Sequence, residues 1–483
     1  MKTETLLATD LIDGRLEAGH GERMPVTSPE TGATIAEVAL ADAARVDEAV
    51  AAAARAFDNW AATPATARGR LLYRLSVLLD RDRDEIAQVI SRDNGKSLAD
   101  ADAEISRARE HIEAAAAAPG HLVGEAVIDI LPSLDSQLVR EPIGPCAIIS
   151  PFNFPIMTGS IYWSWAVACG NTVVIKPSEQ APLAATRLGE LIIEAGFPPG
   201  VINIVHGGRE AVEALCDSPS IAALSLVGSS ATAQAVYERA SRTGKRVQVA
   251  GGARNPVVVM DDAPLEQTVD ALVNAAFVMA GQRCLSASIV IAVKGVRENL
   301  VPLLAERAKG LVVGGGTMPG VQVTPLISRA AVEAMTSAVE RAETDGNDVL
   351  VDGRTEIQPD GAFTFGPTII DRVDPGSGLL SNESFGPMIS IVEADDLDSA
   401  IEIVNSSPFG NAACIFTSSG AAAREFSKRA DVGNIGVNVG VAAPTAHVGF
   451  GGRRKSFSGT IHSQGRHAIE FFTDIKSVST KWF

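Results

Sequence analysis

The sequence predicts an α/β fold: a Rossmann-like, dinucleotide-binding domain, a second α/β domain and a small β-sheet outside both. Three observations carry this reading. Short apolar runs alternate with helical segments through the middle of the chain, and the alternation resumes after Asn255. Two further segments, SQLVREPIG (136–144) and FFTDIKSVSTKWF (471–483), alternate like half-buried antiparallel strands and lie outside that rhythm.

Taken in order, residues 1–40 carry turn signals and short apolar runs such as VTSPETGATIAEV, and are expected to form an exposed sheet edge. Asp42 to Trp60 is Ala-rich and helical, and Leu71 to Ser91 keeps apolar residues at helical spacing. Asn94-Gly95 breaks this pattern. A further helix is expected from about Leu98 until Pro119-Gly120 stops it. CAIIS (146–150), TVVIK (172–176), INIV (202–205), LSLVG (224–228) and RVQV (246–249) then read as strands, most of them separated by helices. Such alternation means βαβ units and a parallel sheet covered on both faces. After Asn255 come VVVM, a helix through the 260s and 270s, and SIVIAV (288–293). The expected domains are 1–120 with 142–252 for the dinucleotide, 253–465 for catalysis, and 121–141 with 466–483 for subunit association.

Composition narrows the function. A chain of 483 residues exceeds one ordinary core, and 46% hydrophobic against 20% charged residues is globular rather than disordered. The formal net charge of −17 repels phosphate backbones and anionic lipid, so neither nucleic acid nor membrane is an expected partner. An anionic substrate would need a local cationic pocket. The five cysteines are widely spaced and form no CxxC pair, which argues against a disulfide framework or zinc site and for a reducing compartment. MKTETLLATDLIDG lacks a cationic segment followed by an apolar run, and no apolar stretch is long enough to span a bilayer. A cytoplasmic protein with no metal is expected.

Cysteine is the natural nucleophile to seek, because a thiolate is the strongest available near neutral pH. Cys146, Cys169, Cys216 and Cys414 sit in apolar or helical patterns and read as buried structural thiols. Cys284 follows Gly281-Gln282-Arg283, and a neighbouring guanidinium would lower its pKa. Pro151-Phe152-Asn153-Phe154-Pro155 directly follows a strand, where ligands bind in parallel sheets. The Asn153 amide there could donate to a developing oxyanion, or could close an Asx turn. Lys176-Pro177-Ser178-Glu179 ends the next strand. It could grip ribose hydroxyls, or be a solvated loop with a helix cap at Ser178. Gly228-Ser229-Ser230 opens a helix, whose free N–H groups suit a pyrophosphate, although no GxGxxG is present.

Together, PFNFP, KPSE, VGSS, GQRC and NESFGP resemble the aldehyde dehydrogenase superfamily in order and spacing, over about Asp10 to Lys481. The resemblance implies the aldehyde dehydrogenase fold, with NAD as cofactor. It implies that Cys284 attacks the aldehyde, while the Asn153 amide and the Cys284 N–H hold the oxyanion. Lys176 and Glu179 would hold the adenosine ribose, and a carboxylate at Glu179 would repel a 2′-phosphate, favouring NAD over NADP. Ser229 would contact the pyrophosphate; Ser150, Phe152 and Gly251 would line the cofactor cleft. Glu383 and Phe385 would position the nicotinamide.

Hydrolytic members carry a general-base Glu in a segment resembling Glu-Leu-Gly-Gly-Lys. The matching segment is Val249-Ala250-Gly251-Gly252-Ala253-Arg254-Asn255, and Ala250 stands where that Glu would be. Losing general base catalysis can cost ~10²–10⁴ in rate. The CoA-acylating methylmalonate-semialdehyde branch lacks that Glu too. GKRVQ, GARN, AGQRC, DVGNIGVNV and SFSGTIHSQGRHAIEFFT are similar to it. It implies coenzyme A as cosubstrate, and two arginines, Arg283 and Arg107, for a substrate carboxylate. Arg is suited to a bidentate grip. On a helical wheel Arg107 lies away from the stripe Leu98, Ile105, Ile112, so periodicity alone makes it a solvated charge; Arg109 is the nearby alternative. Three departures from the branch, Gln180, IYWSWAV (161–167) and AAPTAHVGFGG (442–452), bear on the substrate and not on the nucleophile.

The expected activity is therefore oxidation of a carboxylate-bearing semialdehyde, methylmalonate or malonate semialdehyde, with acyl transfer to coenzyme A in a homodimer or homotetramer. A hydrolytic NAD(P) enzyme with a displaced base, Asp474 or Glu383, stays open. So do a nucleotide-binding protein without turnover and a thiol-dependent acyltransferase without redox chemistry.

Overall fold

The computed structural model describes residues 6–358 and 361–483. Its first large sheet has eight strands. Five of them, Arg246–Ala250, Ala223–Val227, Cys146–Ile149, Val173–Lys176 and Ile202–Ile204, lie side by side in that order and run parallel. Cys146–Ile149 is buried at every position, because helices cover both faces and leave no polar side. Met157–Cys169 leads from it to Val173–Lys176, and Leu183–Ala195 leads on to Ile202–Ile204. The chain then crosses back, through Arg209–Asp217, to Ala223–Val227 on the other side of Cys146–Ile149. The winding direction reverses there, and a crevice opens beyond the strand ends.

Met157–Cys169 is apolar nearly all round and is packed on all sides, against Leu98–Ala116, Ala65–Arg81 and Gly465–Phe472. The second large sheet has seven strands around Asn255–Val259 and Ala287–Val293. It is parallel except at its edge, Asp348–Val351. Its core is separate from that of the first sheet.

The expected strand at the C-terminus, Thr473–Lys481, pairs antiparallel with Leu134–Pro142 from end to end. Glu125–Leu131 adds a third strand, exposed at all seven positions and carrying Val127, Ile128, Ile130 and Leu131 outward. The first forty residues divide. Thr9–Ile12 and Arg15–Ala18 extend the edge of the eight-stranded sheet as expected. Leu6–Leu7, Thr34–Leu40 and Glu22–Thr27 form a small sheet of their own. Ser178 caps no helix: that helix begins at Leu183, and the Ser178 hydroxyl accepts from the Gln180 N–H at 3.2 Å within a turn. No helix among the described residues is long and apolar enough to cross a membrane.

Candidate active site

A cleft of about 950 Å³ opens where the winding reverses. Ser150, Phe152 and Asn153 line it from the end of one strand, Lys176 and Glu179 from the next. Ser229 and Gly251 line it from the ends of two further strands; Cys284, Glu383 and Phe385 line it from the stretch of chain that builds the second large sheet. Ten residues that lie far apart in the chain thus share one space.

Cys284 follows a strained turn. Met279, Ala280 and Gly281 all take left-handed backbone angles, with φ of 57°, 50° and 66°. A side chain at Gly281 would meet the Gly386 oxygen at 2.4 Å, so only glycine fits. Two amides then grip the Cys284 carbonyl: Asn411 Nδ2 donates to it at 2.9 Å and Asn255 Nδ2 at 3.0 Å. Burial pushes the Cys284 thiol up to about 11, opposed by its own N–H and that of Leu285. Arg283 does draw the thiol down, as expected, but it is the last of these influences and burial outweighs it. That guanidinium is turned back along the preceding helix, donating to the Asn274 oxygen at 2.8 Å and the Val278 oxygen at 2.9 and 3.2 Å, and its pull on the sulfur is minor.

Asn153 is buried, and its Nδ2 donates to the Gln282 oxygen at 2.9 Å, two residues before Cys284. Phe152 and Phe385 meet edge to face, ring centres 5.9 Å apart. Lys176 Nζ and Glu179 Oε2 pair at 2.8 Å. The Ser229 hydroxyl caps the Ser230–Ser241 helix by accepting from Thr232 N, and the start of that helix faces the cleft. A side chain at Gly251 would strike the Lys455 oxygen at 2.7 Å. Glu383 Oε1 accepts from the Ala253 N–H at 2.9 Å, and burial raises its pKa.

A model of the aldehyde dehydrogenase family matches residues 16–478. The chain belongs to the aldehyde dehydrogenase family. It is 42% identical to malonate-semialdehyde dehydrogenase 3 of Geobacillus kaustophilus over 99% of this chain and 100% of that one. It is 38% identical to the malonate-semialdehyde dehydrogenase of Pseudomonas aeruginosa, over 98% and 96%. Among solved structures, methylmalonate-semialdehyde dehydrogenase from Oceanimonas doudoroffii superposes with a TM-score of 0.97 at 36% identity, over 99% of each chain. A putative methylmalonate-semialdehyde dehydrogenase from Sinorhizobium meliloti, complexed with NAD, gives 0.97 at 34%, over 100% and 99%.

In this member of the family, the two expected substrate arginines stand outside the cleft wall just described. Arg107 donates to the Pro444 oxygen at 3.0 Å and pairs with Glu110, so it anchors the 442–452 loop. Arg283 is held as above, with the charge of Asp100 acting on it. Arg109, the alternative, turns away to Asp80 and Ser76. Asp100, Glu104, Arg107 and His111 form a polar row on the Leu98–Ala116 helix, beside the apolar one. Counting apolar residues alone hides such a row. Asp474 lies in the outer sheet, paired with Arg246 at 2.9 Å, and is no displaced base for Cys284. Asn255 and Asn411, which hold the Cys284 carbonyl, carry no signal of that contact in the sequence. Asn255 belongs to the GARN motif, but nothing in its spacing reports the carbonyl it holds.

Proposed function

We propose that this aldehyde dehydrogenase oxidises a carboxylate-bearing semialdehyde, malonate or methylmalonate semialdehyde, with NAD, and passes the acyl group to coenzyme A. The observation that carries the acyl acceptor is Ala250: a methyl group stands where a water-activating carboxylate is needed, and it cannot take a proton. A thiol acceptor needs less help than water, since its thiolate fraction is already appreciable.

The residues suit the dinucleotide. Lys176 and Glu179 can hold the adenosine ribose, with Glu179 disfavouring a 2′-phosphate. The helix start after Ser229 offers N–H groups to a pyrophosphate. Ser150, Phe152 and Gly251 shape the floor, and Glu383 with Phe385 borders the space beside Cys284. Bound NAD supplies the hydride acceptor. The Cys284 thiol gives up its proton to solvent and its sulfur attacks the carbonyl carbon, while Asn153 Nδ2 and the Cys284 N–H take the charge that develops on oxygen. Loss of hydride leaves a Cys284 thioester, which a coenzyme A thiol resolves. With the β-carboxylate lost as carbon dioxide, the products are acetyl-CoA or propionyl-CoA. Arg107 and Arg283 are the positive charges proposed for the substrate carboxylate in a protein of this net charge; each would have to leave the main-chain oxygen it holds and turn toward the cleft to meet it.

The reading extends to assembly and place. The Leu134–Pro142, Thr473–Lys481 and Glu125–Leu131 sheet, with its outward apolar row, suits a homodimer or homotetramer. Five free cysteines suit the cytoplasm. The proposed division of the chain is 1–120 with 142–252 for the dinucleotide, 253–465 for catalysis, and 121–141 with 466–483 for subunit association. A second reading, hydrolysis with Glu383 as base, is favoured by the raised pKa of that carboxylate and by its charge reaching Cys284. NADH formation from malonate semialdehyde with and without coenzyme A separates the two. Full steady-state turnover without the thiol would overturn the CoA reading.

A further inference from the structure

We infer that Lys96 and Glu104, which touch neither cleft nor nucleophile, are positioning residues that set the oxyanion donor Asn153. The inference rests on the role proposed for Asn153.

Lys96 and Glu104 pair at 2.6 Å with side chains 1% and 0% exposed. Taking two charges so far from water is costly, and well-packed apolar side chains often serve stability as well or better. What the pair contacts explains it. Lys96 Nζ donates to the Asn153 carbonyl at 2.7 Å and sits 4.4 Å over the Phe154 ring. Glu104 Oε1 accepts from the N–H groups of Ile156 and Met157 at 2.9 and 3.1 Å. Those two groups begin the Met157–Cys169 helix, whose own cap position, Ile156, offers no side-chain acceptor. A carboxylate at a helix start also complements its dipole.

The segment needs outside help, because Pro151 and Pro155 bring no N–H groups to it. Asn94 Nδ2 adds a bond to the Phe152 oxygen at 2.7 Å. Gly95, with φ of 86°, makes the sharp turn that sends Lys96 inward. The elbow between two helices thus holds carbonyls 152 and 153 and N–H groups 156 and 157. Asn153 Nδ2 is left to face Gln282 and the nucleophile.

The test is a double-mutant cycle read by the rate of the first-turnover NADH burst with malonate semialdehyde. Glu104→Gln keeps an acceptor for the helix start but removes the charge under Lys96. Lys96→Met/Glu104→Met removes both charges and leaves none unpaired, should the single variant fold poorly. Each should slow the burst roughly tenfold to hundredfold, as misplacement by about 1 Å does, while the NAD dissociation constant from calorimetry stays within about twofold. In an Asn153→Ala background the same changes should slow it no further. Additive slowing in that background, or an unchanged burst in a folded variant, would overturn the inference. An Asn153→Ala enzyme with the parent's burst would instead overturn the role of Asn153 itself.

Discussion

The side-chain amide of Asn153 donates to the main-chain oxygen of Gln282 at 2.9 Å, so the loop bearing the proposed oxyanion donor is tied directly to the loop bearing Cys284. In the proposed mechanism Asn153 then does two things: it offers a donor, and it fixes the donor's distance from Cys284. Asn153→Ala should lower kcat by about 10²–10³, the usual loss on removing one oxyanion donor. NAD affinity should hardly change. A kcat within a few-fold of the parent would remove Asn153 from the chemistry.

Cys284 rests protonated, with burial holding its thiol near 11. Iodoacetamide should alkylate the cofactor-free enzyme slowly at pH 7, more slowly than it does a free thiol. The rate should climb through pH 9 and above as thiolate forms. Fast labelling at pH 7 would mean the sulfur is activated without cofactor.

Asp93 is fully buried, and burial, only partly offset by the N–H groups of Leu183 and Ala184, pushes its carboxyl up to about 7. The unfolded chain has it near 3.8. Between those values the folded form holds the proton more tightly, so this group's contribution to stability declines as pH rises from about 4 to 7 and is flat above. Asp93→Asn should remove that decline. Melting temperatures of both proteins from pH 5 to 8 measure it; parallel curves would contradict the assignment.

Ala250→Glu should restore a water-activating carboxylate. NADH formation without coenzyme A should then rise, by up to about 10² if general base catalysis is what is missing. An unchanged requirement for the thiol would show that another feature excludes water.

Arg107 links the Leu98–Ala116 helix to the 442–452 loop through Pro444. Arg107→Ala should raise the KM for malonate semialdehyde by roughly tenfold, the worth of one charged hydrogen bond, and leave that for propanal within about twofold. Equal increases for both aldehydes would make Arg107 a purely structural tie.

Most of this architecture can be read from the chain, because parallel strands buried on both faces announce themselves as apolar runs. CAIIS, TVVIK and RVQV are strands for that reason. Cys284 stands out because it alone follows a polar, cationic step. What escapes are relations between distant segments. The helices at Met157 and Leu183 begin without caps of their own, and carboxylates 52 and 90 residues earlier, Glu104 and Asp93, serve them instead. The direction of Arg283 is equally hidden: adjacency to Cys284 promised an activating charge, but free carbonyls at a helix end were better acceptors for its guanidinium. The row Asp100, Glu104, Arg107, His111, buried at Glu104 and His111 and half-buried at the other two, shows that a helix can turn polar residues inward beside its apolar face.

Three left-handed residues in succession precede the sulfur, and two of them, Met279 and Ala280, have a Cβ that resists that geometry. The flanking Leu265–Phe277 helix and Ala287–Val293 strand, packed in one core, hold the turn against relaxation. A glycine at position 280 would carry that φ with no Cβ to resist it, and the bend ahead of the sulfur would then owe its hold to the surrounding core alone.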